Sequence, residues 1–124
     1  MSKKIIIAED EKLIRDLVSR IISKYGYASP IEIASAENGE DALKICKENN
    51  GIELLISDTD MPVMDGYELM KQLKSLYPNA KIIQMTGGAN KKSEYADSFI
   101  KKPFDFDELV SEVGKYLKKN EKNL

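Results

Sequence analysis

Leu54-Leu55-Ile56-Ser57-Asp58-Thr59-Asp60-Met61-Pro62-Val63-Met64-Asp65-Gly66 sets an apolar run directly against a carboxylate. The run predicts a buried strand, Glu53 to Asp58, that presents Asp58 where it stops. Beyond it Pro62 fixes the backbone and Gly66 supplies a permissive joint. An acid at the C-terminal end of such a strand stands where open α/β sheets bind ligands.

Working outward, the same arrangement recurs. Ile5-Ile6-Ile7-Ala8 is a second continuous apolar run, and it ends at Glu9-Asp10. Leu13, Ile14, Leu17, Val18, Ile21 and Ile22 then recur at helical spacing up to Tyr25-Gly26, where glycine suits a helix end. Ile31-Glu32-Ile33-Ala34 alternates, as a half-exposed edge strand does. After Asn38-Gly39, the segment Asp41 to Asn50 reads as a helix with Ala42, Leu43 and Cys46 facing inward, closed by Gly51. Following Gly66, Leu69, Met70, Leu73 and Leu76 share one face of a helix that stops before Pro78. Ala80 to Thr86 reads as a fourth strand and Phe99-Ile100 as a short fifth, bounded by Lys101-Lys102-Pro103. Asp105, with Glu108 three residues on, begins the last helix, whose buried stripe is predicted to be Phe106, Leu109, Val110, Val113 and Leu117.

Five alternations of strand and helix, joined by right-handed crossovers, give an α/β fold with helices on both faces of a parallel sheet. The expected architecture is a flavodoxin-like doubly wound five-stranded parallel sheet, order 2-1-3-4-5. That order puts the ends of the first and third strands side by side, so Glu9, Asp10 and Asp58 should converge. Between Thr86 and the fifth strand lie only about ten residues, Gly87 to Ala96, where a helical crossover needs at least ~10–12. The fourth helix is therefore expected to be short or missing, and the segment to be a mobile loop.

Composition narrows the function. The 124 residues suffice for one domain, 1–124, with 119–124 expected to fray. Apolar residues at 42% and charged residues at 32% suit a folded globular chain. A net charge of −2 offers no footprint for DNA or anionic membrane. No apolar run approaches the ~20 residues that span a bilayer, and no leader peptide is recognisable. The cytoplasm is the expected location, since the lone Cys46 cannot form an internal disulfide. Histidine is absent, which removes His-based catalysis and His metal sites.

Three carboxylates at one place repel unless a cation is present, and an all-oxygen set suits Mg²⁺. A carboxylate beside such an ion can act as a nucleophile toward phosphorus. Lys102, at the end of the fifth strand, is the candidate ammonium group, and Thr86 the candidate hydroxyl reporter of phosphorylation.

The pattern Asp-x-x-Met-Pro-x-Met-Asp-Gly at 58–66 resembles the phosphoacceptor segment of bacterial response-regulator receiver domains, and the resemblance runs over essentially the whole chain. It implies a metal site of Glu9, Asp10, Asp58 and the backbone carbonyl of Asp60, with Asp58 phosphorylated. It also implies Thr86 and Lys102 in catalytic roles, a Thr86–Phe99 switch pair, and a cis bond at Lys102–Pro103. The expected partners are a sensor histidine kinase or histidine phosphotransfer protein and a downstream protein, without direct DNA or membrane binding. The shortened fourth-helix region argues against the family's usual dimerisation and motor-binding face.

Blander roles stay open. Glu9 or Asp10 could cap the first helix, Asp58 could form a turn and Thr86 part of a flexible one. Lys102 could be solvated like Lys101, Phe99 could be ordinary core, Asp65 should cap the third helix, and Cys46 should be core. Asp60 is a free acid expected to alter phosphoryl lifetime. Two rival functions also stand. One is a Mg²⁺-dependent phosphohydrolase working through an aspartyl phosphate, for which Asp60 has the spacing of a general acid but no cap domain is present. The other is a degenerate receiver that only binds protein.

Overall fold

The computed structural model describes residues 2–88 and 90–118, so the expected frayed tail at 119–124 lies outside the described residues. The elements run β1 (Lys3–Ala8), α1 (Lys12–Ser23), β2 (Ile31–Ala36), α2 (Gly39–Glu48), β3 (Leu54–Asp58), α3 (Gly66–Leu76), β4 (Lys81–Thr86), β5 (Ser98–Lys101) and α4 (Phe106–Gly114). All strand pairs are parallel, in the order β2-β1-β3-β4-β5. This is the flavodoxin-like sheet expected, and among the described residues the β4–β5 crossover carries no helix.

The continuous apolar strands take the middle of the sheet because both faces are covered. Every residue of β3 is buried, whereas the alternating β2 is half-exposed at its edge. Ile6, Leu55 and Ile82 point to the core under α2 and α3. Ile7, Ile56, Ile83 and Met85 point to the core under α1 and α4. Where a fourth helix would pack, Tyr95 and Ala96 close the first of these cores.

Helix ends follow local chemistry. The side chains of Asn38, Asp65 and Asp105 each accept the N–H three residues on, satisfying donors that the helix itself leaves open. Asp65 therefore has the capping position expected of it, and Cys46 is fully buried core.

Four apolar residues depart from their expected burial. Leu13 is 84% exposed, Leu17 50%, Leu76 48% and Phe106 54%. On α1 the apolar arc is wider than the face the sheet covers, so Val18, Ile21 and Ile22 fill the core and Leu13 and Leu17 lie on the flank. Leu76 is the last residue of α3, beyond the core. At α4 it is Phe104, just before the helix, that packs inward in place of Phe106. Among the described residues no helix is long and apolar enough to cross a membrane.

Candidate functional site

The pairing of β1 with β3 fixes the site. Ala8 lies opposite Ser57, so Glu9-Asp10, just past the end of β1, and Asp58, the last residue of β3, stand side by side. Carboxylate oxygens of Glu9, Asp10 and Asp58 come within 4.8 Å of one another. Glu9 is fully buried and Asp58 nearly so, while Asp10 is exposed and opens the cluster to solvent.

Lys102 reaches this cluster from the neighbouring edge. Its backbone N–H donates to Thr86 O at 2.6 Å, which anchors the end of β5 to β4. Its Nζ then donates to Glu9 Oε1 at 2.5 Å and lies 3.2 Å from Asp58 Oδ1. The Lys102–Pro103 peptide is cis. Lys102 is thus partly buried in an ion-paired cluster and not solvated like Lys101.

Charge and burial compete at these groups. Burial, reinforced by the Asp58 charge, pushes the Glu9 carboxyl up against the opposing bonds from Lys102 and the Glu11 N–H. Burial acts on Lys102 in the lowering direction, but the bond from Glu9 and the charges of Asp58 and Glu9 outweigh it and hold the ammonium form. The donor set suits a hard divalent cation: three carboxylates, all oxygen, one of them open to solvent. The single ammonium group leaves negative charge over, which such a cation would offset.

Neither acid caps α1 in the usual way. The N-cap residue is Glu11, without a side-chain cap bond, and Glu9 Oε2 accepts the Glu11 N–H at 3.1 Å. Thr86 is fully buried, its Oγ1 donating to Gly87 O at 3.2 Å. Phe99 is half-buried on β5, opposite Gln84. The Asp60 carboxylate stands apart from the three clustered acids and accepts from Asn90 Nδ2 at 2.8 Å.

The structure adds residues the sequence reading passed over. Arg15 Nη1 donates to Glu9 O at 2.7 Å, bracing the backbone of the acidic turn, while Nη2 lies 3.7 Å from Glu37. Thr59 N–H donates to Asp58 Oδ1 at 2.8 Å and orients that carboxylate. Gln84, fully buried on β4, holds the β4–β5 connection. A lone amide inside Ile82-Ile83-Gln84-Met85 was a visible signal. Arg15, in an unremarkable helix, had none.

Residues 5–114 match the family described as response regulator receiver domain. The chain is 34% identical over 123 residues to sporulation initiation phosphotransferase F of Bacillus subtilis, covering 94% of this chain and 95% of that one. It is 28% identical over 124 residues to the autoinducer 1 sensor kinase/phosphatase LuxN of Vibrio campbellii, covering 96% of this chain but spanning only 14% of that relative's length. Among solved structures, a two component transcriptional regulator AraC from Clostridium phytofermentans superposes with a TM-score of 0.80 at 29% identity, over 94% of this chain and 93% of that one.

Proposed function

The chain belongs to the response regulator receiver domain family, and from that premise we propose that it accepts a phosphoryl group on Asp58 and thereby switches its contacts with a partner protein. The donor is a phosphohistidine of a sensor histidine kinase or histidine phosphotransfer protein in the cytoplasm. The observation that carries this reading is the convergence of Glu9, Asp10 and Asp58 with Lys102 against two of them.

An Asp58 carboxylate oxygen forms the new P–O bond, the P–N bond to the donor imidazole breaks with its electron pair going to nitrogen, and the imidazole, already protonated on its other nitrogen, leaves neutral. Glu9, Asp10, Asp58 and the Asp60 carbonyl would hold Mg²⁺, which supplies positive charge to the transferring phosphoryl oxygens. Lys102 neutralises a further oxygen, and the Thr86 hydroxyl donates to the phosphoryl group once it is present. Thr59 N–H keeps the carboxylate aimed. The chain's role is signalling and not turnover of an external substrate. Exposed Leu13, Val63 and Phe106, on the segments that leave the site, suit an apolar protein surface as the docking partner.

Intact mass after incubation with acetyl phosphate and Mg²⁺ tests the reading, beside an EDTA control and Asp58→Asn. One added phosphoryl group that needs both metal and Asp58 is expected. Absence of an adduct with the donor unconsumed would leave a binding-only domain.

A further inference from the structure

The side chain of Gln84 bonds three partners on two separate segments. Its Nε2 donates to Lys91 O at 3.0 Å and to Thr59 Oγ1 at 2.9 Å. Its Oε1 accepts the Ser93 N–H at 2.6 Å. Gln84 and Thr59 are essentially inaccessible to solvent, and Ser93 is 6% exposed. One buried amide therefore grips the main chain of the helix-free crossover at two points and, with the same nitrogen, the residue next to Asp58.

The connection continues at both ends. Thr59 Oγ1 donates to Met85 O at 3.1 Å, and Thr59 N–H donates to Asp58 Oδ1 at 2.8 Å. On the crossover, Lys91 O accepts a second bond, from Tyr67 OH of α3 at 2.6 Å. The Lys91–Ser93 stretch of the segment is thus bonded to both β4 and α3. Hydrogen-bonded groups so deeply buried must keep their partners, because an orphaned amide costs more than the bond itself contributes.

We propose that Gln84 is a positioning residue that relays the state of Asp58, through Thr59, to the main chain at Lys91 and Ser93. The inference rests on the phosphoacceptor reading above and adds a route distinct from Thr86 and Phe99. In the unmodified protein the Thr59 N–H bonds a full carboxylate, a charge-assisted contact. Modification of Asp58 spreads that charge onto the phosphoryl oxygens, and the Thr59 contact weakens. Thr59 relaxes, its hydroxyl leaves the Gln84 amide, and the grip on Lys91 and Ser93 loosens. The open groove of about 550 Å³ between α3 and the crossover, bordered by Tyr67, Lys71, Lys92 and Tyr95, changes shape with it.

The test is amide hydrogen exchange at Ser93 with Mg²⁺, with and without beryllofluoride, on wild type, Thr59→Val and Gln84→Met. Fluorine NMR of the same samples reports whether the mimic is bound at Asp58. In wild type, bound mimic is expected to speed Ser93 exchange by about fivefold or more, the low end of ordinary site coupling. Thr59→Val removes the hydroxyl that Gln84 bonds, so its Ser93 exchange should already be raised without mimic and the further response to bound mimic should disappear. Gln84→Met, of similar volume, should exchange fast in both states. Bound mimic with no Ser93 response in wild type, or a full response in Thr59→Val, overturns the relay and leaves the phosphoacceptor reading intact. No bound fluoride in wild type overturns both.

Discussion

Gly66 stands so close to Asp58 that a Cβ on Gly66 would lie 2.0 Å from the Asp58 carbonyl oxygen. The approach is fixed by the Gly66 N–H, which donates to Thr59 O at 2.8 Å and folds the loop back on the strand end. Gly66→Ala must push that strand end away. It is expected to cost about 3 kcal/mol, at the upper end of overpacking, and to displace the acid as well. Urea unfolding reads the first effect and the rate of phosphoryl uptake from acetyl phosphate the second; an unchanged midpoint would contradict the contact.

Lys102 faces two acids, one of them fully buried, so its removal leaves their charge uncompensated. Lys102→Met is expected to lower stability by about 3 kcal/mol in EDTA, the scale of breaking a buried pair. Mg²⁺ should then raise the melting temperature of the variant more than that of wild type, because lysine and metal compete for the same oxygens. Thermal unfolding of both proteins over a Mg²⁺ series decides it. Equal metal responses would separate Lys102 from the metal site.

Asp97 secures the far end of the crossover. Its Oδ2 accepts the Ile82 N–H at 2.8 Å and lies 3.0 Å from Lys74 Nζ. Burial acts to raise its carboxyl, but the bonds from Lys74 and Ile82 and the lysine charges outweigh it and hold it below the ordinary carboxylate range. A group depressed on folding stabilises above its unfolded value, about 3.9, and that contribution is lost as pH falls through the lower folded value. Asp97→Asn should cost about 1 kcal/mol near neutrality, allowing for solvent screening, with the gap to wild type closing below about pH 4. Urea midpoints at a series of pH values provide the check.

The flank of α1 and its core face should respond oppositely to truncation. Leu13→Ser is expected to change stability by less than about 0.5 kcal/mol, as surface changes do. Ile22→Ala, 1% exposed in wild type, should cost about 3 kcal/mol. If Leu13 also mediates docking, its replacement should slow phosphoryl transfer from a protein donor but not from acetyl phosphate. Comparing the two donors on one variant separates folding from recognition.

The sheet order was legible because chemistry changes abruptly at each strand end. Ile5 to Ala8 and Leu54 to Ile56 are uninterrupted apolar runs, the first followed at once by acid and the second after a single serine. Glu9, Asp10 and Asp58 could thus be brought together from topology alone, with Lys102 on the same sheet edge. The surface of α1 and α4 was less legible: periodicity says which residues share a helix face, not how much of that face the sheet covers. Leu13 and Phe106 lie in that difference. The bonds of Arg15, Gln84 and Asn90 were hidden for another reason. Each joins residues far apart or in irregular backbone, and no local pattern encodes such a partner.

Gln84 grips the crossover by main-chain atoms, the carbonyl of Lys91 and the amide of Ser93. Every amino acid offers that carbonyl, and every one but proline offers that amide. The exposed side chains of Lys91 and Glu94 are therefore nearly free to vary without loosening the hold, a freedom that a packed helix, bound by its apolar stripe, does not have. A lineage carrying this glutamine could rewrite the lettering on that face for a new listener while the mechanism beneath it stayed the same.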